Sequence, residues 1–382
     1  MENNKNPNIR FKGFTDPWEQ RKAKSLFVST ADKGHPELPV LSATQDRGMI
    51  RRDENSINIY HDKKNEEGYK RVLPGQFVIH LRSFQGGFAH SAIEGITSPA
   101  YTVFGFSEPE KHNPNYWKYV FTSKEFIRRL ETVTYGIRDG RSISYDEFLT
   151  MDFVYPMQDE QTKIANYLDT LDNLITLHQR KYNKLLNVKK SMLEKMFPKN
   201  GSNIPEIRFK GFTDPWEQRK LGELCNITTG KLDANAMVSD GQYDFYTSGI
   251  DVFKIGVAAF EGPAITIAGN GASVGYMHLA DGKFNAYQRT YVLTDFLADR
   301  QFLNVAIGNE LPDKIQEEVR GSGIPYIVLN MLTDLAIPFP SHEEQYAIGV
   351  YFQQLDNLIT LHQRELEKLQ NIKKSMLEKM FV

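Results

Sequence analysis

A chain of 382 residues, 40% hydrophobic and 25% charged with a formal net charge of −2, is long enough for two domains and apolar enough to bury a core in each. That balance excludes a disordered chain and a uniformly basic coat for nucleic acid, so any polyanion must meet local patches. The single cysteine, Cys225, excludes an internal disulfide and, without spaced Cys or His companions, a zinc site; it is expected to be a packed small residue.

The N-terminus "MENNKNPNIR" is polar with no apolar stretch behind it, and no run approaches the roughly 18 to 20 apolar residues that cross a bilayer. A cytoplasmic protein without a membrane partner is expected.

The stretch "IRFKGFTDPWEQRK" then runs from Ile9 to Lys22, and the same letters return from Ile207 to Lys220. Two further matches follow: "LDNLITLHQR" at Leu171–Arg180 returns at Leu355–Arg364, and "KKSMLEKMF" at Lys189–Phe197 returns at Lys373–Phe381. The chain is therefore two constant segments wrapped twice around two dissimilar ones.

The first dissimilar block, roughly residues 23–155, contains "LPGQFVIHLRSFQGGFAHSAIEGITSPAYTVFGF", and the second, roughly 221–340, contains "GPAITIAGNGASVGYMHLADGKFNAYQRTYVLT". Short β-branched and apolar runs broken by Gly, Pro and Ser predict strands and turns, and "LADRQFLNVAIGNELPDKIQEEV" adds a helix. Residues 1–150 carry 22 Lys and Arg against 19 Asp and Glu, whereas residues 201–340 carry 11 against 17.

From Glu160 to Phe197 there is no Gly or Pro, apolar residues recur every three or four positions, and Pro156 and Pro198 bracket the segment. Ser341 and Glu344 have the spacing of a capping box at the start of the second copy. Each segment predicts a helix of about 38 residues, roughly 55 Å long. Their apolar stripes, Leu171, Leu174, Leu185 and Met192 with Leu355, Leu358, Leu369 and Met376, cannot be buried within one helix. Two near-identical copies packed on each other solve that and predict a pseudo-two-fold axis. His178 and His362 fall on the stripe without acidic or Cys partners at helical spacing, so packing is their expected role.

Catalytic signatures are not found. "GNGASVG" at Gly269–Gly275 lacks the Lys and Ser/Thr of a P-loop and reads as a turn between strands. "NPNY" at Asn113–Tyr116 has Asn where an adenine-gripping Asn-Pro-Pro-Tyr needs its second Pro, and reads as a loop entering a helix. No nucleophile elbow, H-E-x-x-H helix or Cys/His metal spacing occurs, so neither catalytic residues nor a metal site are expected in this chain.

Two unlike α/β blocks, each followed by a near-identical long helix, with "DPWEQRKLGEL" opening the second, resemble the specificity subunit of type I restriction-modification systems. "FVIHLRSFQGG", "GITSPAYTVF", "GNGASVGYMHLADGKFNAYQRTYVL" and "EEQYAIGVYFQQLDNLITLHQRELEKLQNIKKSMLEKMF" carry the likeness over essentially the whole chain. It implies an α+β fold in which two mixed α/β target-recognition domains, each followed by a long helix, are joined by an antiparallel coiled coil of the two helices. The boundaries are a first recognition domain at 1–158, a first spacer helix at 159–198, a linker and second recognition domain at 199–340, and a second spacer helix at 341–382. One departure stands out: after "RK" the first copy runs "AKSLF" where the second has "LGELC", so the first domain is expected to begin with a different strand.

The resemblance further implies that each domain reads half of a split double-stranded DNA target. The chain would then serve, without a cofactor of its own, methyltransferase subunits (two are expected) and restriction-translocase subunits. S-adenosylmethionine, ATP and Mg would belong to those partners, with the apolar helix pair and the acid-rich second block as docking surfaces. A stand-alone DNA methyltransferase and a coiled-coil scaffold without a DNA role are the competing readings.

Candidate DNA contacts in the first block are Arg51, Arg52, Lys63, Lys64, Arg82, Gln85, Arg138 and Arg141, on charged or Gly-flexed loops. In the acidic half they are Lys231, Asn270, Ser273, Tyr276, Asn285, Gln288, Arg289, Arg320 and Ser322, since Asn and Gln suit adenine edges and Arg suits guanine.

Overall fold

The computed structural model describes residues 6–54, 63–131, 134–135, 142–199, 201–318 and 325–381. It divides into two compact units, Met1–Leu177 with Glu365–Val382, and His178–Arg364. Helices Gln158–Met196 and His342–Lys379 each contribute one half to each unit.

Within the first unit, the repeated stretch fastens the domain to both helices. The Ile9 N–H donates to the Lys379 carbonyl at 3.0 Å, closing the end of the second helix. Arg10 donates through Nε and Nη2 to the Glu160 carboxylate at 2.9 and 2.7 Å, in the first turn of the first helix. Trp18 is buried, and Glu19–Lys22 pairs antiparallel with Asp152–Tyr155, the strand that leads into that helix. The second unit repeats the arrangement. The Ile207 N–H meets the Lys195 carbonyl at 2.9 Å, Arg208 grips Glu344 at 2.8 and 2.6 Å, and Glu217–Lys220 pairs with Ala336–Phe339. The helix groups that the two stretches clamp are themselves repeated, Glu160 with Glu344 and Lys379 with Lys195, whereas the strands they pair with differ, DFVY in the first unit and AIPF in the second.

Each domain is built on a four-stranded antiparallel sheet. In the first unit the order is Phe27–Thr30, Thr102–Phe106, Phe77–Ile79, Ala89–His90; in the second it is Asn226–Thr229, Thr290–Thr294, Ala264–Ala268, Met277–Ala280. The registers align them strand for strand, since Ile79 faces Thr102 as Ala268 faces Thr290. A hairpin flanks each sheet: Leu41–Ala43 with Met49–Arg51 in the first, Tyr243–Tyr246 with Val252–Ile255 in the second.

The cores differ in chemistry. Phe27 lies within 6 Å of the rings of Phe104, Phe106, Trp117, Phe121, Phe148 and Phe153, so the first core is a mesh of aromatic edges and faces. Ile265, Ile267, Leu293 and Ile337, with Leu303, Ile307 and Leu311 of the helix Arg300–Glu318, dominate the second.

Three expectations are corrected. The "AKSLF" departure does not change the opening strand. Ala23–Leu26 and Leu221–Leu224 form the same single helical turn, with Ala23 and Leu221 fully buried, and corresponding strands follow. The capping box at the second long helix is half formed: Ser341 Oγ accepts from the Glu344 N–H at 3.4 Å, but the Glu344 carboxylate turns to Arg208 and to the Trp216 indole N–H. Leu174 and Leu358 are exposed rather than in the seam. From Leu171 the heptad continues to Ile175, His178, Tyr182 and Leu185, all half-buried, which puts Leu174 on the flank; Ile359 and His362 displace Leu358 in the same way. Leu171 and Leu355 are buried, and Leu185, Met192, Leu369 and Met376 are half-buried.

Candidate nucleic-acid interface

Two loops of the first domain meet at one end of its sheet. The turn 44–48 closes the Leu41–Met49 hairpin, and Thr44 stabilises it by accepting the Arg47 N–H at 3.0 Å and donating to the Gly48 carbonyl at 2.8 Å. Gly48 has φ +68° and its α-carbon lies against the His90 backbone, where any β-carbon would collide. The second loop, residues 80–88, follows the central strand Phe77–Ile79 and holds the short helix Ser83–Gly86. The two are joined by Gln45 Nε2 donating to Gln85 Oε1 at 3.2 Å. Arg82 and Gln85 are exposed on this loop. Its base is fixed by His80, whose backbone N–H donates to Ser83 Oγ at 2.7 Å and whose Nδ1 accepts from the Arg82 N–H at 3.3 Å. Burial pushes the His80 imidazole down to about 4, Arg82 adding to the effect, so it stays neutral in this role.

The other first-domain candidates lie apart from this edge. Arg51 and Arg52 end the far side of the hairpin, with Arg51 forked onto Asp53 at 3.2 Å, which raises the Arg51 pKa. Lys63 and Lys64 are exposed in the 3₁₀ segment Lys63–Gly68. Arg138 and Arg141 lie outside the described residues.

In the second domain the candidates converge more closely. The turn 269–276 links Ala264–Ala268 to Met277–Ala280, with Gly271 and Gly275 at positive φ, and it is the positional counterpart of loop 80–88. Its Gly269 N–H donates to the Arg289 carbonyl at 2.9 Å, and the Gln288 N–H donates to the Leu232 carbonyl at 2.8 Å, so Lys231, Gln288 and Arg289 arrive beside Asn270. Lys231, Gln288, Arg289 and Tyr276 are exposed, and Ser273 is half-buried. Ser248, on the hairpin turn after Tyr243–Tyr246, donates its hydroxyl to Asn270 Oδ1 at 2.6 Å. Asn285 is not on this surface. It is 3% exposed, and its amide holds the Val257 carbonyl at 2.9 Å and the Ala286 N–H, because its position on the Lys283–Ala286 strand points into the domain. Arg320 and Ser322 lie outside the described residues.

Gln45, Arg47 and Ser248 are surface or half-buried members of these edges that sequence reading missed. The available signal was the turn composition "TQDRG" and "TSGID", which marks hairpin tips but not what they touch.

Elsewhere, Asn113 caps the helix Pro114–Phe121 by accepting the Asn115 N–H at 2.9 Å, so "NPNY" is a helix entry. Cys225 is buried, which pushes its thiol up to about 12 and leaves it unreactive. His178 and His362 meet Nδ1 to Nδ1 at 3.1 Å, and desolvation, the facing His178 and Lys181 lower the His362 pKa. Among the described residues no cluster of His, Cys, Asp and Glu is arranged to hold a metal, and no helix is long and apolar enough to cross a membrane.

Each of the two dissimilar domains thus presents paired loops at one end of its sheet. Residues 213–371 match the model of the type I restriction modification DNA specificity domain. The chain is 41% identical over 157 residues to the EcoDI specificity subunit of Escherichia coli, a stretch covering 41% of this chain and 34% of that protein. It is 25% identical over 258 residues to the MjaVIII specificity subunit of Methanocaldococcus jannaschii, covering 58% and 59%. The aligned stretches thus span about a third and somewhat over half of the relatives' own lengths. The fold follows the crystal structure of a type I restriction-modification S subunit from M. genitalium, with TM-score 0.69, 16% identity and 99% of both chains covered.

Proposed function

We propose that this chain is the DNA sequence-recognition subunit of a type I restriction-modification complex. Each domain reads one half of a split double-stranded target, and partner subunits do the chemistry. The observation that carries this is the division of labour in the repeat. The residues that clamp the long helices, Ile9 and Arg10 on Lys379 and Glu160, Ile207 and Arg208 on Lys195 and Glu344, are identical in both copies, while the loops at the corresponding sheet ends differ in sequence. A scaffold alone gives no reason for that pattern, and two readers of different half-sites require it. The domain family of residues 213–371 supports the reading.

On this proposal the chain itself has no catalytic group. Methyltransferase subunits, two of them, would supply S-adenosylmethionine and place a methyl on adenine, and restriction-translocase subunits would use ATP and Mg. The helices would set the number of unread base pairs between half-sites. The test is to map methylated adenines in cells carrying this gene with its methyltransferase partner. A single split motif is expected; indifference of the complex to duplex sequence, or S-adenosylmethionine binding by the isolated chain, would overturn it.

A further inference from the structure

The strand registers show that one device has been built twice from unrelated residues. The strand Leu41–Ala43 lies beside Gly95–Thr97 through the parallel bridge Val40–Ile96, as Tyr243–Tyr246 lies parallel to Lys283–Ala286 with Asp244 opposite Phe284. Leu41–Ala43 and Tyr243–Tyr246 each end in a five-residue hairpin turn, 44–48 and 247–251, in which Gln45 and Ser248 hold the same second position. Loops 80–88 and 269–276 correspond through the central strands. In both domains the hairpin turn reaches over to the second loop with a side chain and binds the carbonyl of a carboxamide: Gln45 binds Gln85 at 3.2 Å, and Ser248 binds Asn270 at 2.6 Å. "LSATQDRGM" and "FYTSGIDVF" share no motif that would require this.

The bond decides what each pair can offer a base. A free carboxamide presents one acceptor and one donor together, and so can meet adenine by itself through N7 and N6. Here one of the two lone pairs on the Gln85 or Asn270 carbonyl is taken by the turn residue, which fixes the plane of the carboxamide and leaves its NH₂ to donate. A further acceptor stands beside it on the partner, Gln45 Oε1 or the Ser248 Oγ lone pairs. In Gln45–Gln85 one NH₂ and one C=O stay outside the bond whichever way the two amides are turned.

We infer that the base-reading group in each half is this side-chain pair. Gln45 and Ser248 then act as specificity-determining residues that fix the neighbouring amide and supply a further acceptor, and the edge each pair fits is an adenine in the major groove. The inference rests on the DNA-recognition role proposed above and goes further, since it names the residues and the base.

The test uses the full chain in complex with its methyltransferase subunits. Binding is measured on the cognate duplex and on duplexes with each base pair of the target changed in turn. Gln45→Ala is expected to reduce discrimination by about tenfold or more at one adenine of one half-site and nowhere in the other. Ser248→Ala should do the same in the opposite half, and Ser248→Thr, which keeps the hydroxyl, should restore it. Unchanged discrimination at every position in both alanine variants would overturn the inference, as would a uniform loss of affinity with discrimination intact. A parent complex that binds all duplexes alike would instead overturn the recognition role itself.

Discussion

The two domains share strand order, register and anchoring to the long helices, yet one core is mainly aromatic and the other mainly aliphatic. Phe27 sits at the centre of the first, where its counterpart in chain position, 198 residues on, is Cys225. The comparison teaches that this fold is specified by its frame of anchors and by where strands alternate inward. Volume can be filled in more than one chemistry as long as the frame is kept.

The most direct way to break the comparison is at those two positions. Phe27→Ala should destabilise the first unit by about 3–5 kcal/mol, because it empties a site packed by rings on all sides. Cys225→Ala should cost about 1 kcal/mol or less, since it removes one small group. Urea unfolding followed by limited proteolysis of each unit distinguishes them.

Next come the two helix anchors. Glu160→Ala and Glu344→Ala each leave a largely buried arginine without its carboxylate, at a cost of about 3 kcal/mol, the lower end of what breaking a buried pair incurs. The loss should be larger for Glu344, which also accepts the Trp216 indole N–H at 3.1 Å; the Trp18 indole has no hydrogen-bond partner. Equal losses in thermal melting would show that the indole bond adds nothing.

Acid should separate the domains less sharply. In the first, burial holds His80 and His90 down to about 4 against an ordinary 6.5, and His112 is also lowered; in the second only His278 is lowered, apart from His362 on the helix. The folded state keeps these rings neutral and the unfolded chain protonates them. The stability they carry is whole above about pH 6.5 and is lost as pH falls from there through 4. The first unit is expected to become protease-sensitive at a higher pH than the second, and His80→Gln with His90→Gln should narrow the gap.

The smallest effect concerns the helices. Four residues added beside His178 and four beside His362 leave both the Asp172–Lys373 and the Lys189–Asp356 pairs in place. An insertion after Leu185 alone would pull Lys189 away from Asp356. If the helices set the spacing, the matched insertion lengthens them by roughly 6 Å. Mapped methylation should then show half-sites about one to two base pairs farther apart, at 3.4 Å per base along a strand, with each half unchanged.

How much of this was legible follows from where letters repeat. The helices, the anchor stretch and the block order could be read directly, because identical residues at fixed offsets need no alignment. The strand correspondence could not: "HLRSFQGG" and "GNGASVGY" share little, and only backbone pairing shows that they occupy one place. Periodicity also misled. Spacings of three and four admitted Leu174 and Leu358, whereas a seam of period 3.5 passes through Ile175 and Ile359. Asn285 looked like a reader by type alone, and residue type carries no information about which face of a strand it occupies.

The cross-helix ion pairs carry a consequence for how such a chain could have arisen. Asp172 with Lys373 and Lys189 with Asp356 are one pair written twice with the partners exchanged, and His178 meets its own repeat, His362. Each helix therefore already contains both sides of the contact. A polypeptide ending after its first long helix would carry Asp172, His178 and Lys189 together, and two copies could make the same contacts in an isologous homodimer, each copy bringing one reader. On the recognition role proposed above, such an ancestor would read a palindrome. Fusing two copies end to end would free the second half to drift toward a different sequence, and an asymmetric target would follow without any new joint being built.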